Sequence, residues 1–332
     1  MPAPSGTFQT FQAVGNREDL SDMIWDISPT EVPFSTRVAK TKASAIAHEW
    51  QIDALDAPAV NAQIEGDDAV VNTAVPTVRA GNRTQILAKT VIVSGTQDSV
   101  SKAGRETELA YQVMKRMKEI KRDLEFALVG NAASTAGTGS AARRMAGVET
   151  WLASNRTSVG TGTAQTTFGL TSGFAATAPL DSTVLGTFTE SNLRHVIQLA
   201  YVSGGDPTVV MVTPGTKAKM SSTFTGIATR FRDVAAGSQA QIISGADVYV
   251  SDFGKHTIIP NRFMRNAPTP TSANTALVLD MEYWALATLR PLRQVALGKT
   301  GDNEKRQLVM EATLVSRNQA ASGKITDINP LL

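Results

Sequence analysis

The sequence contains no cysteine. Disulfides, thiolate metal ligands and cysteine nucleophiles are therefore excluded. Histidine is almost as scarce. His48, His195 and His256 are far apart, and no two have the spacing that sets two ligands on one helix face. No run of about 18 apolar residues is present, so no membrane-spanning helix is expected. The N-terminal stretch has no basic start followed by an apolar core, and no signal peptide is expected. The Asn-x-Ser/Thr matches at Asn82 and Asn155 then carry no weight for glycosylation. Charge of either sign is not in excess: 32 Lys and Arg face 30 Asp and Glu, for a net +2. A chain that wraps nucleic acid by neutralising phosphates carries a large basic surplus, so only weak, local contact with DNA is compatible with this balance. No Gly-x-Ser-x-Gly elbow occurs.

What is present is a 332-residue chain, 42% hydrophobic and 19% charged, the composition of a folded protein. Residues 1–45 read as an extended arm punctuated by Pro2, Pro4, Pro29 and Pro33. One short helix over Arg17–Ile27 is expected there, with Leu20, Ile24 and Ile27 on one face. Residues 46–97 read as a two-stranded excursion. His48 to Ala54 and Ile86 to Val93 alternate by twos, and a polar tip with Glu65, Asp67 and Asp68 lies between them. An isolated ribbon is marginally stable, so this one is expected to lean on a neighbouring subunit.

The spacing of Ala110, Val113, Met114, Met117, Ile120, Leu124 and Leu128 predicts a long helix over 103–130. Residues 153–187, rich in Thr, Ser, Gly and Ala, read as a surface loop or insertion. A helix over 190–201, a buried strand at Val209–Val212 and a helix opened by Pro214 follow, which suggests a mixed α/β subdomain. The chain closes on a β ribbon, with the segment from Tyr283 to Leu297 paired to the strand around Leu308–Val315. The fold class is α+β, with no internal repeat.

The motifs that suggest chemistry are weak. Gly137-Thr-Gly139-Ser-Ala-Ala142 approximates a dinucleotide fingerprint but follows a helix rather than a strand. Thr213-Pro-Gly215-Thr216-Lys217 lacks the leading glycine and the Lys-Ser/Thr pair of a phosphate loop. Glu65, Asp67 and Asp68 lack the spacing of a calcium loop. Lys115, Arg116, Lys118, Lys121 and Arg122 are interleaved with Glu119, Asp123 and Glu125, the pattern of an ordinary charged helix face. No catalytic, cofactor-binding or metal-binding set emerges.

Several stretches also carry a resemblance. They are Ile27-Ser-Pro29-Thr-Glu-Val-Pro33-Phe34, His48-Glu-Trp50-Gln-Ile52-Asp53, the helix from Arg105 to Gly130, Asp206-Pro-Thr-Val-Val-Met-Val-Thr-Pro214, and the ribbon from Gln307 to Asp327 containing Gly323-Lys-Ile-Thr. In wording and order they resemble the major capsid proteins of tailed bacteriophages, with the Hong-Kong-97-type fold. The resemblance implies an N-terminal arm (1–45) and an extended loop (46–97). It implies a peripheral domain (98–152 and 281–318) with a spine helix, and an axial domain (188–280 and 319–332).

It further implies a non-enzymatic subunit of an icosahedral head shell around double-stranded DNA, assembled in the host cytoplasm. The implied partners are other copies of the chain in pentamers and hexamers, portal, scaffold and decoration proteins, and packaged DNA through non-specific contact. No membrane is involved. The candidate interface residues are Trp50, Ile52, Asp53, Glu65, Asp67, Asp68 and Arg83. Trp50 and Ile52 are apolar anchors or, equally, part of their own subunit's core. A non-viral, encapsulin-like compartment and a tail-tube or connector protein are the alternatives.

Overall fold

The computed structural model describes residues 30–66, 68, 74–161, 170–171, 173–224, 232–233, 241–242, 247–264 and 273–329. The helix expected over Arg17–Ile27 lies outside the described residues. In chain order, helix α1 (Pro33–Arg37) leads into strands β1 (Ala39–Lys42), β2 (Ala47–Ile52), β3 (Val78–Arg83) and β4 (Gln85–Ser94). Helices α2 (Gly95–Ser99), α3 (Glu108–Val129) and α4 (Val148–Trp151) follow, then β5 (Arg156–Ser158), β6 (Leu170–Thr171) and β7 (Phe174–Ala175). Next come α5 (Glu190–Val202), β8 (Val209–Val212), α6 (Pro214–Thr223), β9 (Arg232–Asp233), β10 (Gln241–Ile242), β11 (Val248–Ser251) and β12 (Gly254–Pro260). The last strands are β13 (Asn274–Leu279), β14 (Trp284–Leu297), β15 (Asn303–Ser316) and β16 (Gly323–Ile328).

Two sheets carry the architecture. The first has the order β1-β14-β15-β4, and α3 packs across one face of it. Val113, Ile120, Leu124 and Leu128 form the buried stripe of α3. They share a core with Leu308, Met310, Ala312 and Leu314, which alternate along β15. The 3.6-residue period of the helix thus meets the two-residue period of the strand. The helix starts later than expected, at Glu108, because Gly104 adopts a left-handed φ of 73° that a helix cannot contain.

The second sheet has the order β11-β12-β8-β13-β16-β5. Its central strands β8 and β13 are buried along their whole length. Val210, Val212, Ala276 and Val278 face a cluster with Leu193, Val196 and Ile197 of α5. Val209, Met211, Leu277 and Leu279 face the opposite way, into the core shared with α3. A strand buried on both faces reads as an unbroken apolar run, and Val-Val-Met-Val is one.

Two expectations are corrected. The partner of β2 is β3, in register from Ala47↔Arg83 to Ile52↔Val78. It is not the stretch 86–93, which belongs to β4 and pairs with β15. β3 gave no alternation signal because its buried residues are Ala80, Gly81 and Asn82. A Cβ on Gly81 would sit 2.7 Å from Glu49 Cγ. Asn82 donates to the carbonyls of Ala146 and Leu314 at 3.0 and 2.9 Å. Small size and hydrogen bonding hold this strand in place, rather than apolar burial.

The stretch 153–187 is also more than a surface loop. β5 adds to the second sheet in parallel with β16, and Thr161 bridges Val184. Asp327, buried with a left-handed φ of 64°, accepts from the Ser158 hydroxyl, the Ser182 amide and the Thr326 hydroxyl. An aspartate tolerates that backbone because its carboxylate bonds locally. Composition hides this tie, since the bonding groups are hydroxyls and backbone.

Candidate assembly surfaces

Between β2 and β3 the chain makes an excursion. Residues 53–64 form neither helix nor strand, and nearly all of their surface is open. Leu55 is 99% exposed, Val60 96%, Ile64 77% and Val75 71%. Contiguous exposed apolar patches mark contact sites, whereas single exposed apolar residues are ordinary. The stretch 53–77 contains Asp53, Asp56, Glu65, Asp67 and Asp68 and no lysine or arginine. Its charges are purely anionic, and the apolar side chains just named stand bare. The four apolar residues escaped the sequence reading because they follow no period.

The expected interface residues divide into two groups. Trp50, Ile52 and Arg83 sit at the base of the excursion, engaged with their own subunit. Trp50 is half-buried, its ring 5.5 Å from that of Trp151, and it also packs on Ala43, Ala285, Ala287 and Val315. Ile52 packs on the core shared with α3. The Arg83 guanidinium lies 4.0 Å over the Phe174 ring and donates to the Ser134 carbonyl at 3.4 Å. Asp53, Glu65 and Asp68 lie exposed on the excursion itself. Asp67 lies outside the described residues.

The end of the arm is clipped at one buried carboxylate. Phe34 is fully buried, edge-on to Trp284 at 6.4 Å. The Phe34 and Ser35 amides donate to Glu125 Oε1 and Oε2 at 2.7 and 2.8 Å. Asn261, just past β12, donates to Oε1 at 2.7 Å. Glu125 thereby joins the arm, the long helix and the end of β12 in the second sheet. At the sequence level Glu125 reads as one more charge on a helix face, and only tertiary contact reveals its role.

The first sheet is held by a second buried carboxylate. Glu311 accepts from Thr84 at 2.7 Å and from Arg290 at 2.8 Å, and it pairs with Arg143. Burial pushes its pKa up, but the Thr84 hydroxyl and the two guanidiniums outweigh it and hold the carboxyl below the ordinary value of 4.5. A depressed carboxylate stabilises the fold above its unfolded pKa and loses that contribution as pH falls through its folded value. The stability gap between the native chain and Glu311→Gln should therefore be widest near pH 7 and close below about pH 4.5. Thermal unfolding of both proteins across that range checks it, and a gap that does not depend on pH would refute the role.

On α3, Lys115, Lys118 and Lys121 are exposed, flanked by exposed Met114 and Phe126. Arg116 pairs with Glu119, Lys89 reaches Asp123 at 2.9 Å, and Arg122 lies 5.6 Å from the Phe263 ring. Thr213 caps α6 by accepting from the Thr216 amide, so the phosphate-loop look-alike is a helix start. Gly137 takes a left-handed φ of 75° in a turn closed by the Thr135–Arg144 bridge. His256 is buried and doubly bonded, Nδ1 to the Pro207 carbonyl and Nε2 to the Ser251 hydroxyl, each at 2.6 Å. Burial lowers the pKa of His48. Among the described residues no three His, Asp or Glu side chains gather as a metal site would require.

Among the described residues a long helix lies on a four-stranded sheet, a second sheet has both faces covered, and an excursion springs from the sheet β2-β3-β7-β6. The model of the family described as SU10 major capsid protein matches residues 3–329. The chain belongs to that family. It is 29% identical over 351 residues to the major capsid protein of Escherichia phage Phieco32, covering 95% of each chain. The fold is similar to the capsid of a native GTA particle, with a TM-score of 0.59 at 12% identity over 96% of this chain and 97% of that one. It is also similar to the SrpI encapsulin of Synechococcus elongatus PCC 7942, at 0.53 and 10% identity over 96% and 94%. The encapsulin likeness is one of fold alone, whereas the family match covers nearly the whole sequence. This SU10-type capsid protein is a structural subunit of a tailed-phage head shell and part of the virion.

Proposed function

We propose that the chain closes the shell by lending its excursion to a neighbour. The observation that carries this reading is the exposure of Leu55, Val60, Ile64 and Val75 on a segment with no core of its own. Burying a side chain of that size is worth about 1.5–3 kcal/mol. A subunit held by several such contacts leaves only when all of them break, so modest contacts sum to a lasting shell. In this scheme residues 1–45 are the arm and 46–97 contain the extended loop. Residues 98–152 and 281–318 form the peripheral domain around α3. Residues 188–280 and 319–332 form the axial domain that gathers at fivefold and sixfold positions.

The seven interface candidates take two roles. Trp50, Ile52 and Arg83 brace the base of the loop against its own subunit, while Asp53, Glu65, Asp67 and Asp68 offer charge to the neighbour. The role is mechanical, without catalysis. Portal, scaffold and decoration proteins are the expected partners, packaged DNA is touched non-specifically, and assembly takes place in the host cytoplasm. Light scattering and negative-stain microscopy of the purified chain, alone and co-expressed with the neighbouring gene products, test the reading. Closed, uniform shells are expected, and stacked rings or open tubes in both preparations would overturn it.

A further inference from the structure

One face of α3 is left open by the rest of the described residues. The helix buries Val113, Ile120, Leu124 and Leu128 against the first sheet. On the side away from that stripe stand Met114, Lys115, Lys118, Lys121 and Phe126, all exposed, with Arg122 half-buried beside them. At 3.6 residues per turn these six share less than half of the helix circumference. Met114 is 62% and Phe126 60% exposed. The nearby carboxylates are engaged elsewhere, Glu119 with Arg116 and Asp123 with Lys89. The open face is therefore cationic, with a large apolar side chain towards each end.

The arm lands on this same face. Glu125, which accepts the Phe34 and Ser35 amides, continues the line of Met114, Lys118 and Lys121 at steps of four, three and four residues. The chain ahead of Phe34 therefore begins at one end of the open face. Residues 17–27, which lie outside the described residues, are the stretch whose spacing predicts a helix, with Leu20, Ile24 and Ile27 on one side. They carry Glu18, Asp19, Asp22 and Asp26 against the single cation Arg17. Asp19, Asp22 and Asp26 follow one another at steps of three and four, and Lys115, Lys118 and Arg122 repeat those steps. A helix over 17–27 would be about 16 Å long, which is also the rise of α3 from Lys115 to Phe126. The link 28–33 reaches about 20 Å when extended. Such a short tether holds the segment beside its own α3 at an effective concentration that a free partner does not match.

We propose that residues 17–27 dock as a helix along the open face of α3 of the same copy, parallel to it. Asp26 then stands beside Arg122, Asp22 beside Lys118 and Asp19 beside Lys115, while Leu20, Ile24 and Ile27 cover Met114 and Phe126. Opposite charges on the two helices set the register, and the apolar contact supplies the attraction. Met114 and Phe126 favour this occupant over packaged DNA, whose outer surface offers phosphates. The docking goes beyond the role of the excursion in the shell and needs only the clip at Glu125.

The test uses the full chain with a photo-crosslinking amino acid in place of Leu20 and, in a second variant, of Ile24. Light and heavy isotope forms are mixed as subunits before assembly, and the cross-linked peptides are mapped by mass. Adducts to residues 111–126 within one copy are expected from both positions, without light–heavy products. Light–heavy adducts, adducts to another segment, to DNA or to another protein, or no adducts at all would overturn the docking. Each of these would leave the role of the excursion in the shell standing. Asp22→Lys should lower the same-copy yield about fivefold, and adding Lys118→Glu should restore it. An unchanged yield, or a failure of that rescue, would overturn the register. Removing residues 1–28 keeps Phe34 and its clip, and it should speed the acetylation of Lys115 and Lys118 severalfold. Unchanged rates would show that nothing had covered them and would overturn the docking.

Discussion

Removal of residues 58–76 is expected to leave a folded subunit that no longer closes into shells. The cut stops short of Val78, because β3 holds the buried Ala80 and Asn82 and pairs along all of β2. Within 53–64 the chain contributes no strand pairing. Val60, Ile64 and Val75 bury little in the subunit, so removing them forfeits little of its own stability. A shortened link between β2 and β3 even lowers the entropy cost of closing that hairpin. The native and shortened chains should melt within a few degrees of each other, and the shortened one should sediment as free subunits or small rings. Normal shells from the shortened chain would remove the loop from the assembly mechanism.

The second large effect concerns the clip at Glu125. In Glu125→Ala the amides of Phe34 and Ser35 lose their acceptor, and the side-chain amide of Asn261 keeps only Met211 Sδ. Each buried donor left unpaired costs about 1–3 kcal/mol, so a loss of about 4 kcal/mol is expected. The loss should be uneven. The arm, held by Phe34 and this carboxylate, should detach first, and limited proteolysis should cut between about residues 30 and 45 long before the rest of the chain. Glu125→Gln, which keeps one acceptor oxygen, should fall between the two. Unchanged melting together with an uncut arm would show that Phe34 alone holds it.

The parts of this fold that were legible beforehand are those built on periodic burial. The stripe of α3, the unbroken apolar run of β8 and the alternation of β15 each announce the surface they face, because one physical term dominates each. What stayed hidden rests on other terms. β3 is placed by the small size of Gly81 and the hydrogen bonds of Asn82, neither of which leaves a hydrophobic pattern. β4 alternates like a free ribbon strand, and only its register with β15 shows that it completes a sheet. Glu125 and Glu311 look like surface charges until the donors arrive from about 90 and more than 160 residues away. The exposed apolar residues of the excursion are illegible for a related reason. They follow no period, and in this copy nothing covers them.

The most direct measurement is an electron cryomicroscopy reconstruction of the assembled shell, resolved well enough to trace residues 53–77. The account predicts that Leu55, Val60, Ile64 and Val75 are covered by a neighbouring copy. A segment folded back onto its own copy, or one still open to solvent in the closed shell, would contradict it.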